Sequence, residues 1–304
     1  MTTSSLSITL RLRVVGCSNT LAIIETRKLA YTYPLAEKPA FVGVNLKVER
    51  GEFILLTGPS GCGKTTLCRC FNGLIPHFYG GKLEGELIVA GLKTSEHPIH
   101  EIAQHVGLVF QNPANQLFAL TVEKDVAFGL ENLGLPRDEI RRRVDWALKV
   151  TGIYDLRDKA PFELSGGQQQ RVAIASVLAM QPEIIVLDEP TSFLDPLSAR
   201  NILEVIHHLN REIGITVILV EHRLDLAARY ANRVIVMKDG KIVLDGEPRR
   251  VFLDERVRLS GVGIPKVVKL YLTLIKDGLD LGKVPLSPEE TSKLVMEALK
   301  LDRG

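Results

Sequence analysis

Residues Gly58 to Thr65 read GPSGCGKT, and further along Leu164 to Arg171 read LSGGQQQR. The first stretch fits G-x-x-x-x-G-K-[ST], with Gly58, Gly63, Lys64 and Thr65 in the fixed places. The apolar run Phe53 to Leu56 before it reads as a buried parallel strand, and the residues from Lys64 to about Leu74 as the following helix. Glycines at 58, 61 and 63 let successive backbone N–H groups of the loop, Pro59, Ser60 and Cys62 included, turn inward around anionic oxygens. The helix start presents its positive dipole end to the same oxygens. In this pattern Lys64 reaches the β- and γ-phosphates and the Thr65 hydroxyl ligates Mg²⁺. Thr66 is placed to donate to a phosphate. Strand, loop and helix arrive in the order a nucleoside triphosphate needs, which a glycine turn that binds nothing would not require.

A second constellation supplies chemistry. Ile184 to Leu187 form another apolar, β-branched run ending in Asp188-Glu189. An Asp at the end of such a strand can hold Mg²⁺ through water. Glu189 is then suited to polarise an attacking water as general base or orienting group. The LSGGQ stretch opens a helix, so Ser165 and the Gly166 and Gly167 amides make a second anion-binding end. That end cannot complete a nucleotide site by itself.

With these residues the chain resembles the nucleotide-binding subunit of an ABC (ATP-binding cassette) transporter, over residues 22–255. Leu164, Ser165, Gly166, Gly167 and Gln168 reproduce that family's LSGGQ without a mismatch. The resemblance implies an α/β P-loop cassette: a RecA-like parallel core sheet, an antiparallel β subdomain and an inserted helical subdomain at about 112–163. It also implies that the LSGGQ turn faces the γ-phosphate held by a partner subunit. Carried over one position at a time, Tyr33 in YTYP matches the aromatic that stacks on adenine, with Tyr31 the alternative. Gln111 in VFQNP matches the glutamine that senses Mg²⁺ and the membrane partner. Asp195 in SFLD matches the D-loop that crosses to the opposite subunit, and His222 the switch histidine that contacts the γ-phosphate.

The stretch Gln111 to Pro136, QNPANQLFALTVEKDVAFGLENLGLP, resembles energy-coupling-factor transporters, the group that includes cobalt and nickel importers. Asn115-Gln116, Glu131 to Gly134 and the Glu221-His222 pair point the same way. Such transporters pair two ATPase subunits, alike or different, with a membrane coupling protein and a small substrate-binding membrane protein. Past the cassette, residues 256–304 form an extension. Apolar positions between Pro265 and Lys276 predict one helix, and Ser287-Pro288-Glu289-Glu290 predicts the start of another running to about Leu299. The resemblance implies that this extension helps the two ATPases dimerise; packing on its own cassette is the structural alternative.

Composition narrows the class. At 304 residues with 45% hydrophobic content, the chain can bury a sizeable core, and a formal charge of +2 gives no bulk drive toward nucleic acid. Aromatics are few, at 6%, which argues against a base-stacking surface. No apolar stretch is long enough to span a bilayer, so membrane association is expected through partners alone, at the cytoplasmic face. Of four cysteines, Cys68 and Cys70 are spaced to point to different faces of one helix, which disfavours a metal site. Residues 1–21 lack the basic start and continuous apolar core of an export signal, Arg11 and Arg13 interrupting the candidate run before Cys17. They read as a leader without predicted order.

The expectation is an ATP- and Mg²⁺-dependent ATPase that energises micronutrient import. The rivals are another ABC importer class, a non-transport ATPase and a regulatory module that does not hydrolyse. The chain lacks the duplicated cassette of translation-type relatives and the long coiled coil of chromosome-type ones. Glu189 and His222 argue against the last.

Overall fold

The computed structural model describes residues 22–301, so the leader, with Cys17, lies outside the described residues. Among the described residues ten strands appear in chain order: β1 (Ile24–Thr32), β2 (Phe41–Val48), β3 (Phe53–Thr57), β4 (Lys82–Val89), β5 (Leu92–Lys93), β6 (Val106–Val109), β7 (Ile184–Asp188), β8 (Thr216–Val220), β9 (Arg233–Lys238) and β10 (Lys241–Gly246). They make two sheets. The larger has the order β10-β9-β3-β8-β7-β6, parallel except for the antiparallel edge strand β10. Every residue of β3, β7 and β8 is buried, as near-continuous apolar strands covered on both faces must be. Because β3, β6, β7 and β8 run the same way, their carboxyl ends lie along one edge of the sheet. The phosphate loop, Gln111, Asp188-Glu189 and His222 follow those ends.

The smaller sheet is antiparallel, in the order β2-β1-β4-β5. The coarse layout read from the sequence puts strands around 23–29, 43–48 and 86–90, and the strands found are longer or shifted. A register break between Arg27 and Ala30 lets β1 keep pairing with β4 as far as Thr32 opposite Lys82. Such a bulge interrupts the period without ending the strand. The helix after the phosphate loop stops at Phe71 instead of Leu74, and a separate short turn, Leu74–His77, follows.

Helices Val122–Asn132, Arg137–Val150 and Gly166–Ala179 share a core built on Val126, Leu130, Val144, Leu148 and Val172. The third of these also sends Ala173, Ile174 and Val177 into the main core, so the helix that LSGGQ opens joins the two. Arg142 and Arg143 pair with Glu139 at 2.7 and 2.6 Å, and Arg141 is exposed. Helices Lys266–Lys276 and Pro288–Leu301 end the described chain. Val262, Ile264, Val268 and Tyr271 join the same apolar cluster as Leu224 and Ala227, so the extension packs on its own cassette. Polar clamps also hold it, among them the Asp225 carboxylate accepting from the Lys266 N–H at 2.6 Å, Arg249 donating to Glu290 at 2.9 Å and Arg229 paired with Glu289 at 3.1 Å.

Cys68 and Cys70 are both buried, because the short helix that carries them is covered on more than one side. Burial pushes the Cys70 thiol up, away from the reactive thiolate. Among the described residues no helix is long and apolar enough to cross a membrane.

Candidate functional site

The phosphate loop is built by two close approaches that only glycine permits. Gly58 has φ 154°, and a Cβ there would lie 2.2 Å from the Met237 carbonyl oxygen on β9. Gly63, at φ 102°, is the N-cap of helix Lys64–Phe71, and a Cβ on it would lie 2.6 Å from the Ala40 carbonyl. Without side chains at these points the loop can fold tightly over the sheet edge. Lys64 is buried, and its Nζ donates to the carbonyls of Gly58 and Pro59 at 2.8 and 3.0 Å, so its ammonium sits inside the loop. A cleft of ≈ 310 Å³ opens here, lined by Thr57 to Ser60, His222 and the extension's Gly261 to Gly263.

Tyr33 is half-buried, its hydroxyl 3.1 Å from Thr66 Oγ1 and its ring edge-on to Tyr79 at 6.4 Å. Arg69 donates to the same hydroxyl at 3.4 Å. The alternative, Tyr31, is fully buried and donates to the Gly80 carbonyl at 2.9 Å, so it has no face free to stack on a base.

At the end of β7, Asp188 is buried with one carboxylate oxygen, Oδ1, lacking any hydrogen-bond partner. Burial pushes its pKa up; a hydrogen bond from Thr65 and, more weakly, the nearby Arg69 and Lys64 charges pull the other way, while Glu189 adds to the rise. An orphaned, desolvated carboxylate oxygen beside a threonine hydroxyl is a hard-oxygen donor set of the kind Mg²⁺ takes alongside phosphate oxygens. Glu189 adopts the left-handed backbone region at φ 50°, uncommon for a residue with a side chain and a conformation that concentrates at functional sites. Its backbone N–H donates to the Val220 carbonyl at 3.0 Å, which ties it to the end of β8. Gln111 donates to Glu189 Oε2 at 2.7 Å, and His222 Nε2 lies 3.1 Å from Oε1. Two residues from two other strand ends thus converge on the Glu189 carboxylate.

LSGGQ and the D-loop form a separate cluster. Ser165 Oγ accepts from the Gln168 N–H at 3.3 Å, and Gln168 Oε1 accepts from the Ser165 N–H at 3.0 Å, a closed capping box that leaves Gly166 exposed and Gly167 half-exposed. Asp195 caps helix Pro196–Ile213 by accepting from the N–H groups of Leu197 and Ser198, both at 3.0 Å. The hydrogen bond from Ser198 holds its carboxyl below the usual carboxylate range. Among the described residues no hydrogen bond links Ser165, Gly166, Gly167 or Asp195 to Lys64, Thr65 or Glu189.

Sequence reasoning passed over Thr191 and Arg223, and read Glu221 and Gln116 only as marks of a transporter group. Gln116 Oε1 accepts from the Phe110 N–H at 3.2 Å and so shapes the turn that carries Gln111. Glu221 is buried behind His222 and accepts from the His222 N–H at 3.1 Å. A carboxylate inside an apolar strand end is the signal that could have marked it.

The family model for the ABC transporter domain matches residues 41–192. A Pyrococcus horikoshii protein provisionally named as an ABC transporter ATP-binding protein is 47% identical over 279 residues, 91% of this chain and 96% of its own. The energy-coupling factor transporter ATP-binding protein EcfA1 of Caldanaerobacter subterraneus is 44% identical over 278 residues, 90% of this chain and 98% of its own. A Methanosarcina mazei relative is 49% identical over 83% of this chain, which spans only 43% of that longer protein. Among solved structures, cbiO1 from Clostridium perfringens, described as part of the ABC transporter complex cbiONQ, superposes with TM-score 0.70 at 38% identity, over 84% of this chain and 97% of its own. The ATP-binding cassette MJ0796, solved as a dimer in a post-hydrolysis state with ADP and Pi, gives 0.67 at 33% identity, over 74% and 99%. The chain belongs to the ABC transporter family, as an ATP-binding ATPase subunit.

Proposed function

We propose that this ATPase energises import of a micronutrient through an energy-coupling-factor transporter, as one of two cassettes that close around two ATP molecules. The observation that carries the catalytic reading is the convergence of Gln111 and His222 on Glu189, beside Asp188 and the buried Lys64. Glu189 accepts the proton of the attacking water or orients it, and His222 and Lys64 face the γ-phosphate. Asp188 and Thr65, with Gln111, would hold Mg²⁺. When bound, that ion neutralises charge developing on the phosphates. Tyr33 offers its ring to adenine.

Each chain carries its LSGGQ turn in a cluster apart from its own phosphate loop, so Ser165 and the Gly166–Gly167 amides serve the nucleotide of a second ATPase subunit, and Gln168 holds that turn closed. Asp195 crosses to the same partner. The likeness to EcfA1 and to cbiO1 supports the transporter group. So does an exposed apolar patch beside the Gln111 turn, where Phe118 and Phe128 meet edge-on at 4.6 Å and Leu120 is 75% exposed. Such a patch suits a membrane coupling protein, which would bring a substrate-binding membrane protein with it and hold this chain peripherally at the cytoplasmic face.

The test is reconstitution in vesicles with the coupling and substrate-binding proteins. Glu189→Gln should abolish uptake and lower hydrolysis at least about 100-fold while ATP still binds. Undiminished uptake by that variant would reject the reading.

A further inference from the structure

Behind His222 lies a hydrogen-bonded network that none of the catalytic roles above uses. Glu221 is 2% exposed. Its Oε1 accepts from the N–H groups of His222 and Arg223, both at 3.1 Å, and its Oε2 accepts from the Thr191 hydroxyl at 2.8 Å. A buried carboxylate with three donors holds the backbone of 221–223 in one arrangement. The Arg223 side chain reaches the other way. Its Nη1 donates to the carbonyls of Thr191 at 3.1 Å and Leu194 at 3.2 Å. Leu194 lies against the LSGGQ turn: a Cβ placed on Gly167 would be 3.2 Å from Leu194 Cδ2, and one on Gly166 3.7 Å from Phe193 Cβ. The next residue, Asp195, is the helix cap already described. One guanidinium therefore joins the loop that carries His222 to the turn on which the LSGGQ glycines rest.

We propose that Arg223 is a positioning residue that couples the two nucleotide sites, by making the placement of His222 depend on the placement of Ser165, Gly167 and Asp195. The inference rests on the two-chain reading above. In that arrangement His222 serves the chain's own nucleotide, and the LSGGQ turn serves the partner's. A shift of residues 191–195 when that turn engages reaches His222 through Arg223, with no contact between the two nucleotides. Coupling of this kind is reciprocal in binding, so each site senses the other.

The experiment compares hydrolysis rate against ATP concentration for the wild type, Arg223→Met and Arg223→Lys. A fluorescent ATP analogue reports binding to the single chain, and light scattering reports ATP-driven association in the Glu189→Gln background, with the cognate protomer supplied. The wild-type curve should be sigmoidal. Arg223→Met should give a hyperbolic curve with kcat lower by up to about 100-fold, the scale of a misplaced catalytic group, while analogue binding is unchanged. Arg223→Lys keeps donors for the two carbonyls and should restore the sigmoid. If Arg223→Met does not melt cooperatively, Arg223→Gln, which keeps one donor, is judged by the same criteria. A Glu189→Gln protein that never associates with ATP would reject the two-chain reading itself. Association together with a wild-type-like Arg223→Met curve, or with a hyperbolic wild-type curve, would overturn the coupling role alone.

Discussion

Replacing Asp188 with Asn should make the nucleotide-free protein more stable, although it removes a residue proposed to hold the metal. Asp188 is 4% exposed, and its Oδ1 has no hydrogen-bond partner. An unsatisfied buried polar group costs about 1–3 kcal/mol, and a charged one more. Burial pushes the carboxyl pKa up, against the hydrogen bond from Thr65. Between the unfolded and folded pKa values the native state binds more protons than the unfolded chain, so stability falls as pH rises through that window. Above the folded pKa the penalty is complete; below the unfolded value, about 3.9, it is gone. Asn carries no charge at any pH. Its advantage should therefore be about 1–3 kcal/mol near pH 8 and shrink as the solution is acidified. In a protein of this size each kcal/mol moves the melting temperature by about 2–4 °C. The assay is thermal melting of both proteins with chelator present, from about pH 3 to pH 8 so that the unfolded value is crossed, repeated near pH 8 with magnesium and ATP. The added ligands should stabilise the wild type more than Asp188→Asn, which keeps the phosphate loop but not the carboxylate proposed to hold the metal. Equal melting at pH 8, or a difference that does not change with pH, would refute the account of a strained, desolvated carboxylate.

Two further outcomes follow from the loop and the ring. Gly58→Ala and Gly61→Ala both place a side chain at positive φ, but only the first meets main chain, at 2.2 Å against nothing within 4 Å. Denaturant midpoints should show Gly61→Ala losing about 1–2 kcal/mol and Gly58→Ala about 1–3 kcal/mol more; equal losses would show that the loop does not rest on the Met237 carbonyl. Tyr33→Ala should weaken ATP binding by about 1–3 kcal/mol, and Tyr33→Phe, which keeps the ring, should bind nearly as wild type in calorimetry. Equal weakening by both variants would instead assign the effect to the hydroxyl contact with Thr66.

The parts of the site that are local in sequence could be read from it directly. Gly58, Gly63, Lys64 and Thr65 act through a single strand–loop–helix, so their order on the chain is already their order in space. Ser165 and Gln168 close a capping box across one helical turn, and that too is visible as spacing. The bulge that lengthens β1 was not visible, because it depends on pairing with β4 and not on the period of either strand. Arg223 was missed for a similar reason. A charged residue after a strand reads as solvated, and only the approach of the 191–195 turn shows that it serves two backbone carbonyls.

Chain order alone was enough to establish that a triphosphate is bound, and by which loop, since adjacent backbone amides and a helix start make that site without distant help. Which residues surround Glu189 was decided by the sheet. Gln111, Glu189 and His222 are widely separated along the chain, and they meet because β6, β7 and β8 lie side by side and parallel, with their carboxyl ends at one edge. Side-chain patterns record burial. They do not record which strand neighbours which, so the convergence that makes the chemistry appears only once the chain is folded.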